Sequence, residues 1–194
     1  MKDRIKEQSI IFFEKKGFSE TSIQDIVEAL NVTKGTFYYY YSSKEQLLMD
    51  IHKEYIDDLL QRQQKIIESS ESQRDKLKGI IHLLISDIER NGDSGKVFFR
   101  EMRHLTDDNA TEIKKRREQF RLTIEEVLRQ GAENGEFRKQ LNPAMTALAV
   151  LGMTNWTYQW FSTAGELTAD ELAEHYSSIV LDGINMQNEG GNGK

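Results

Sequence analysis

A single proline in 194 residues, at position 143, most limits what this chain can fold into. Proline interrupts helical hydrogen-bond ladders, so its near absence leaves long helices open. The apolar residues agree, recurring at steps of three and four rather than two. Leu77, Ile80, Ile81, Leu84, Ile85 and Ile88 form the cleanest such stripe, one buried face of an amphipathic helix. No alternating run longer than a few residues suggests a strand. The expected fold class is all-α.

Punctuation divides the helices. Gly17 ends a first helix, and Thr21 or Ser22 can cap a second. Asn31, Val32 and Thr33 separate it from a short third helix. The run Ser42-Ser43-Lys44-Glu45 opens a long fourth helix with a serine cap and acid in the first turn. Its stripe is Leu47, Leu48, Ile51, Tyr55 and Leu59. Residues 69–72 are a polar break before the Leu77–Ile88 stripe. Asn91, Gly92 and Asp93 stop that fifth helix, a short sixth follows over about 94–105, and a long seventh carries Ile113, Phe120, Ile124, Val127 and Leu128. Asn142-Pro143 is a cap followed by proline at the first helical position. The eighth helix runs from there to about 163. Thr168 to Glu171 matches a capping box and opens the ninth. The expectation is nine helices, three short and then six in a larger bundle. The domains expected are 1–45 for the small module and 46–186 for the bundle, with 187–194 a glycine-rich flexible tail.

Composition excludes several classes. The N-terminal segment is charged throughout and carries no secretory signal. The most apolar stretch, 144–153, is about ten residues, and about 18 are needed to cross a bilayer. There is no cysteine, hence no disulfide or thiolate metal site. A cytoplasmic location follows as the expectation, with no membrane partner. No phosphate-binding glycine loop and no nucleophile elbow occur, and no cofactor is called for. The net charge of −6 sits badly with nucleic-acid binding until the chain is divided. Residues 1–45 balance Lys2, Arg4, Lys6, Lys15, Lys16, Lys34 and Lys44 against Asp3, Glu7, Glu14, Glu20, Asp25, Glu28 and Glu45. The acidic excess therefore lies entirely beyond residue 45. Phosphate binding depends on the local field, so the total charge does not forbid it.

The segment 18–48, FSETSIQDIVEALNVTKGTFYYYYSSKEQLL, reads as two short helices across a tight turn. Ile23, Ile26, Val27 and Leu30 face inward from the first, Val32 plugs the turn, and Phe37 and Tyr41 anchor the second. Thr33, Lys34, Gly35 and Thr36 stay exposed at its start, with Tyr39 and Tyr40 further along. Helix N-termini suit phosphate. Gly35 lets backbone approach closely. Lys34 reaches a phosphate or a guanine edge, and Thr36 a thymine methyl or a phosphate. The tyrosine run has a packing role too, for Tyr41 above all and in part for Tyr38.

The run resembles the TetR family of bacterial repressors, whose pattern is roughly G-[FY]-x-x-T-[ST]-[IV]-x-x-I-[AV]-x-x-[AL]-x-V-[ST]-x-G-[TS]-[FL]-Y-x-[YH]-[FY]-x-[SN]-K-E-x-L. Gly17, Phe18, Thr21, Ser22, Ile23, Ile26, Val27, Val32, Thr33, Gly35, Thr36, Phe37, Tyr38, Tyr40, Tyr41, Ser43, Lys44, Glu45 and Leu47 match it. Tyr41 stands where phenylalanine is usual, which puts a hydroxyl at the edge of the core. The resemblance implies a three-helix DNA-binding domain whose third helix enters the major groove, with Tyr38, Tyr39 and Lys44 gripping phosphates. The DNA-contact set is Ser22, Thr33, Lys34, Gly35, Thr36, Tyr38, Tyr39, Tyr40 and Lys44.

The eighth helix is apolar over most of its circumference: Met145, Leu148, Ala149, Leu151, Gly152, Trp156 and Trp160. Such a helix is buried partly by something outside its own bundle. The ninth carries Leu172, Tyr176, Ile179, Val180, Gly183 and Ile184, and Ala149, Gly152 and Gly183 permit close approach. The resemblance implies a homodimer through these last two helices, about 143–163 and 168–185. A two-fold dimer would read a near-palindromic operator, its half-sites about one helical turn apart. The resemblance also implies a ligand pocket among the fourth to eighth helices and a repressor released by a small-molecule effector. Phe98, Phe99, Arg100, Met102, Arg103, His104, Phe120, Asn155, Trp156 and Gln159 are the ligand candidates, polar groups among aromatics. For His104 alone the reading as a satisfied core or surface histidine comes first. Lys114 to Arg117 and Arg121 read as a solvated basic face or a site for an anionic group. The stretch 151–182 resembles a TetR subgroup that controls lipid breakdown, which implies a long, largely apolar effector such as an acyl-CoA.

Two rivals stand beside this. Glu101 and His104 form an E-x-x-H on a helix, half of a di-iron bundle signature, but no second copy follows. A constitutive DNA-binding protein without ligand would not need so large a second region.

Overall fold

The computed structural model describes residues 1–69, 71–162 and 164–185. Among them are eight α-helices, one 3-10 turn and no strand. The helices are α1 (Lys2–Lys16), α2 (Ile23–Ala29), α3 (Lys34–Tyr40), α4 (Lys44–Ile67), α5 (Gln73–Arg100), α6 (Asp107–Glu133), α7 (Pro143–Trp160) and α8 (Ala169–Ile184), with the 3-10 turn at Met102–His104. The expected count of nine is thereby corrected to eight. Asn91 does not stop the Leu77–Ile88 helix but kinks it (φ −133°, ψ 27°). Helical geometry resumes beyond the kink, where Val97 and Phe98 are fully packed. The expected sixth helix is the end of α5 plus the 3-10 turn. The expected tail, 187–194, lies outside the described residues.

The chain divides into two compact units, one of residues 1–61 and 90–117, the other of 62–89 and the chain from 118 onward. The boundary between them falls within α4, at residues 61 and 62. In the first unit α1 buries Ile5, Ser9 and Phe13, four residues apart and so on one face. Along α4 the predicted stripe of Leu47, Leu48, Ile51, Tyr55 and Leu59 is buried in full. Lys2 pairs with Asp50 at 2.9 Å, and Lys6 pairs with Glu54 one turn on, lacing α1 to α4.

In the second unit the α5 stripe from Leu77 to Ile88 is buried, as are Phe120, Ile124, Val127 and Leu128 of α6. Each such side chain stabilises by about 1.5–3 kcal/mol. Gly131 is required by packing: a Cβ there would lie 2.2 Å from the Phe137 ring. Asp87 is wholly buried, and a lone buried carboxylate is unstable. It is held by Arg62 of α4 and by the Tyr158 hydroxyl of α7, which donates to it at 2.9 Å. The caps of α7 and α8 are those read from the sequence. Asn142 accepts from the Met145 amide at 3.1 Å, and Thr168 and Glu171 form the capping box. No helix among the described residues is long and apolar enough to cross a membrane.

Candidate nucleic-acid interface

The α2–turn–α3 module forms from local signals. Ser22, not Thr21, caps α2: its hydroxyl accepts from the Asp25 amide at 3.0 Å while Asp25 accepts from the Ser22 amide at 2.8 Å. Thr21 is buried and its hydroxyl donates to the Gly17 carbonyl at 2.8 Å. The Lys16 ammonium, 2.7 Å from Asp25, holds that carboxyl down at about 2, helped by the two bonds from Ser22. Asn31 takes a positive φ of 54°, the left-handed turn that ends α2 and that asparagine tolerates. Thr33 then caps α3, accepting from the Thr36 amide at 3.4 Å.

Packing decides which face of α3 is free. Phe37 and Tyr41 are buried, with ring centroids 5.8 Å apart. Thr33, Lys34 and Gly35 are exposed, and Thr36 and Tyr40 are half-buried. Tyr38 is 54% exposed and Tyr39 81% exposed. Two aromatic side chains this bare on one short helix are not core residues, so the packing role expected of the tyrosine run falls to Tyr41. Tyr39 meets Tyr40 edge-on at 4.9 Å, and Tyr38 meets Phe37 likewise at 5.6 Å. The surface therefore offers a cation, two hydroxyl-bearing caps, a bare backbone at Gly35 and phenolic donors.

Lys44 departs from that set. Its ammonium donates to the Phe18 and Thr21 carbonyls, both at 2.7 Å, and lies 4.3 Å from the Phe18 ring centroid. Burial pushes its pKa down. The side chain ties the start of α4 to the α1–α2 turn instead of reaching outward, and sequence spacing carried no sign of this.

The residues nominated for ligand contact fall into several environments. Phe98 is buried against Tyr55 (4.7 Å) and His52 (5.3 Å). The Arg117 guanidinium sits about 6 Å from the Phe98 and Phe99 rings, 5.9 and 5.8 Å, with Met102 sulfur 3.3 Å away, and burial lowers its pKa. Arg100 and His104 turn to α1 and to Phe18, and Arg103 lies exposed beside His104. Phe120 is core, and its carbonyl accepts from buried Gln63 at 3.0 Å. Trp156 and Gln159 are exposed on α7, and Asn155 is half-buried there. A cavity of about 270 Å³ in the first unit is lined by Lys6, Ile10, Ile51, Glu54, Tyr55, Asp58, Arg90, Asn91 and Ser94, none of them nominated. Within the basic run, Arg116 pairs with Asp57 and Glu112, and Arg121 with Glu118 and Glu125.

Glu101 and His104 do meet, at 3.5 Å. Among the described residues, however, no group of three or more His, Asp or Glu is placed to hold a metal.

Two family models match the chain. That for bacterial regulatory proteins of the tetR family covers residues 8–51, and that for the tetracyclin repressor-like C-terminal domain covers 70–184. The chain belongs to the TetR family. It is 28% identical over 174 residues to the HTH-type transcriptional repressor KstR2 of Rhodococcus jostii, covering 89% of this chain and 85% of that one. It is 26% identical over 182 residues to KstR2 of Mycobacterium tuberculosis, covering 93% and 91%. The solved structure described as the ketosteroid transcriptional regulator KstR2 of M. tuberculosis superposes with a TM-score of 0.89 at 25% identity, over 96% of this chain and 95% of that chain. The TetR-family regulator PfmR of Thermus thermophilus does so at 0.87 and 28% identity, over 93% and 98%. TetR membership makes this chain a DNA-binding transcriptional regulator with a helix-turn-helix at its N-terminal end. The curated relatives matched along nearly their whole length are transcriptional repressors and not enzymes, which sets aside the metal-enzyme rival.

Proposed function

We propose that the chain represses transcription as a two-fold dimer. Each protomer places α3 in the major groove of one half of a near-palindromic operator, and a small, largely apolar effector releases it. The observation that carries the DNA reading is the bare face of α3, with Tyr39 81% exposed beside Lys34 and Gly35. Such a face is left unpacked by the fold, and its cation, hydroxyls and bare backbone suit phosphate and base edges.

The dimer reading rests on α7 and α8. Met145 (61% exposed), Leu148 (49%), Trp156 (66%) and Trp160 (49%) recur at helical spacing on α7, and Ile179 (62%) lies on α8. Gly152 and Gly183 sit on the same exposed faces, with nothing within 4 Å of where a Cβ would be. Two exposed tryptophans on one helix make a patch that a second copy would bury. A dimer also meets the need of a palindrome for two recognition helices.

For the effector, support comes from the name of the structural relative, a ketosteroid regulator, and from the aromatic cluster of Phe98, Phe99 and Tyr55. An acyl-CoA thioester is the effector class we put first, on the resemblance of residues 151–182 to the TetR subgroup that controls lipid breakdown. Release then follows if it binds the DNA-free conformation better than the DNA-bound one. Thermal shift and operator titration against acyl-CoA thioesters of rising chain length test this. A rise in Tm with loss of operator binding is expected. No stabilisation at saturating thioester, with operator binding intact, would retire the effector class.

A further inference from the structure

Glu101 is a buried carboxylate, 2% exposed, with no place on the DNA surface. Its Oε1 accepts from the Arg100 Nε at 3.0 Å, and its Oε2 lies 3.5 Å from the His104 Nε2. The other end of the Arg100 guanidinium reaches the last turn of α1. There its Nη2 donates to the Phe13 and Glu14 carbonyls, both at 2.6 Å. The Phe13 carbonyl also accepts from the Gly17 amide at 3.0 Å, and the guanidinium adds charge-assisted bonds that cap this helix end. Lys96, one turn earlier on α5, pairs with the Glu14 carboxylate at 3.2 Å. His104 stacks on Phe18 at 5.1 Å, the same ring that the Lys44 ammonium covers. Arg100, Glu101 and His104 thus converge on one short stretch, 13–18, where α1 ends and the chain turns toward α2.

That stretch needs an outside hold. α1 ends in Gly17 at φ 87°, a residue whose backbone is freer than any other. We infer that Glu101 is a positioning residue: by fixing the Arg100 guanidinium on the end of α1 it sets the angle at which α2 and α3 are presented to DNA. Glu101 touches no DNA. It acts through Arg100, whose guanidinium would otherwise be free to swing off the carbonyls. The E-x-x-H spacing, read from the sequence as half of a metal site, places Glu101 and His104 on the same α1–α2 turn instead. The role rests on the DNA-reading function proposed above, and its test separates the two.

A positioning residue matters most when two recognition helices must fit two half-sites at once, and least when one helix meets one half-site. Full-length Arg100→Lys and Glu101→Gln dimers are titrated against the operator found by footprinting the wild-type chain, and against the same duplex with one half scrambled. Lysine keeps the charge but has no second nitrogen with which to hold Glu101 and the carbonyls together, and glutamine keeps the shape but loses the charge. Affinity for the full operator is expected to fall about tenfold or more while half-site affinity stays within about twofold, with dimer mass and Tm close to wild type. Equal losses on both duplexes would mean a damaged recognition surface and overturn the role, as would no loss on either. Should a single variant fail to fold, Arg100→Met combined with Glu101→Gln removes both charges together and is read the same way. A wild-type chain that prefers no duplex overturns the DNA reading itself, and the positioning role falls with it.

Discussion

Replacing Gly35 by alanine separates folding from DNA reading. Gly35 is the second residue of α3 and is exposed. A Cβ there would meet only the Thr33 hydroxyl, at 3.5 Å, an ordinary contact, and the backbone is not in the left-handed region. The folded chain has no need of glycine at this point. Alanine is favoured over glycine in a helix by about 0.5–1 kcal/mol, and less in its first turn. For a chain of this length that corresponds to a rise in Tm of about 1–4 °C. Against DNA the sign reverses. A methyl group forced into a packed contact costs about 1–3 kcal/mol, hence about 2–6 kcal/mol for two protomers, or roughly thirtyfold or more in operator affinity. Calorimetric melting and fluorescence anisotropy at one fixed salt concentration read the two effects. A Gly35→Ala chain that binds operator as tightly as wild type, or that melts lower, would refute the claim that this glycine serves DNA approach.

Gly152→Arg tests the dimer face. With nothing within 4 Å of its Cβ, the arginine should leave the protomer folded by circular dichroism while sedimentation shows the monomer mass in place of the dimer. Tyr41→Phe should raise stability by about 1 kcal/mol and Tm by about 2–4 °C, because the Tyr41 hydroxyl is buried and finds no hydrogen-bond partner among the described residues. Asp25 carries a pH dependence: its folded pKa of about 2 lies below the ordinary 3.8, so its contribution is present above pH 4 and is lost as pH falls from about 4 toward 2. Melting of Asp25→Asn should therefore show a shallower decline than wild type across that window.

Local chemistry made much of the fold legible. Asn142 with Pro143, and Thr168 with Glu171, fix helix starts through bonds spanning three residues, and both stand where the sequence puts them. The α5 stripe was legible because a period of three and four admits only one buried face. Asn91 was misread for a physical reason. Asn-Gly-Asp favours a break, but burying Val97 and Phe98 outweighs the local preference and leaves a kink. On the candidate interface, the exposure of Lys34, Gly35 and Tyr39 was legible, since these are the residues left over once Phe37 and Tyr41 are packed. Lys44 was not, since its carbonyl partners lie 26 and 23 residues away. Arg100 was not either, its carbonyl partners lying 87 and 86 residues away. Long-range polar contacts leave no period in the sequence, so nothing in it showed that Arg100 and His104, nominated as ligand contacts, lie against the end of α1 and Phe18.

The central claim is that α3 reads an operator through its bare face. Footprinting of the upstream region of the chain's own gene, with wild type and the Lys34→Ala, Tyr39→Ala double variant side by side, tests it most directly. One protected, near-palindromic site is expected for wild type, and its loss in a double variant of unchanged Tm and dimer mass. Equal protection by both proteins, or a wild-type footprint with no sequence preference, would contradict it.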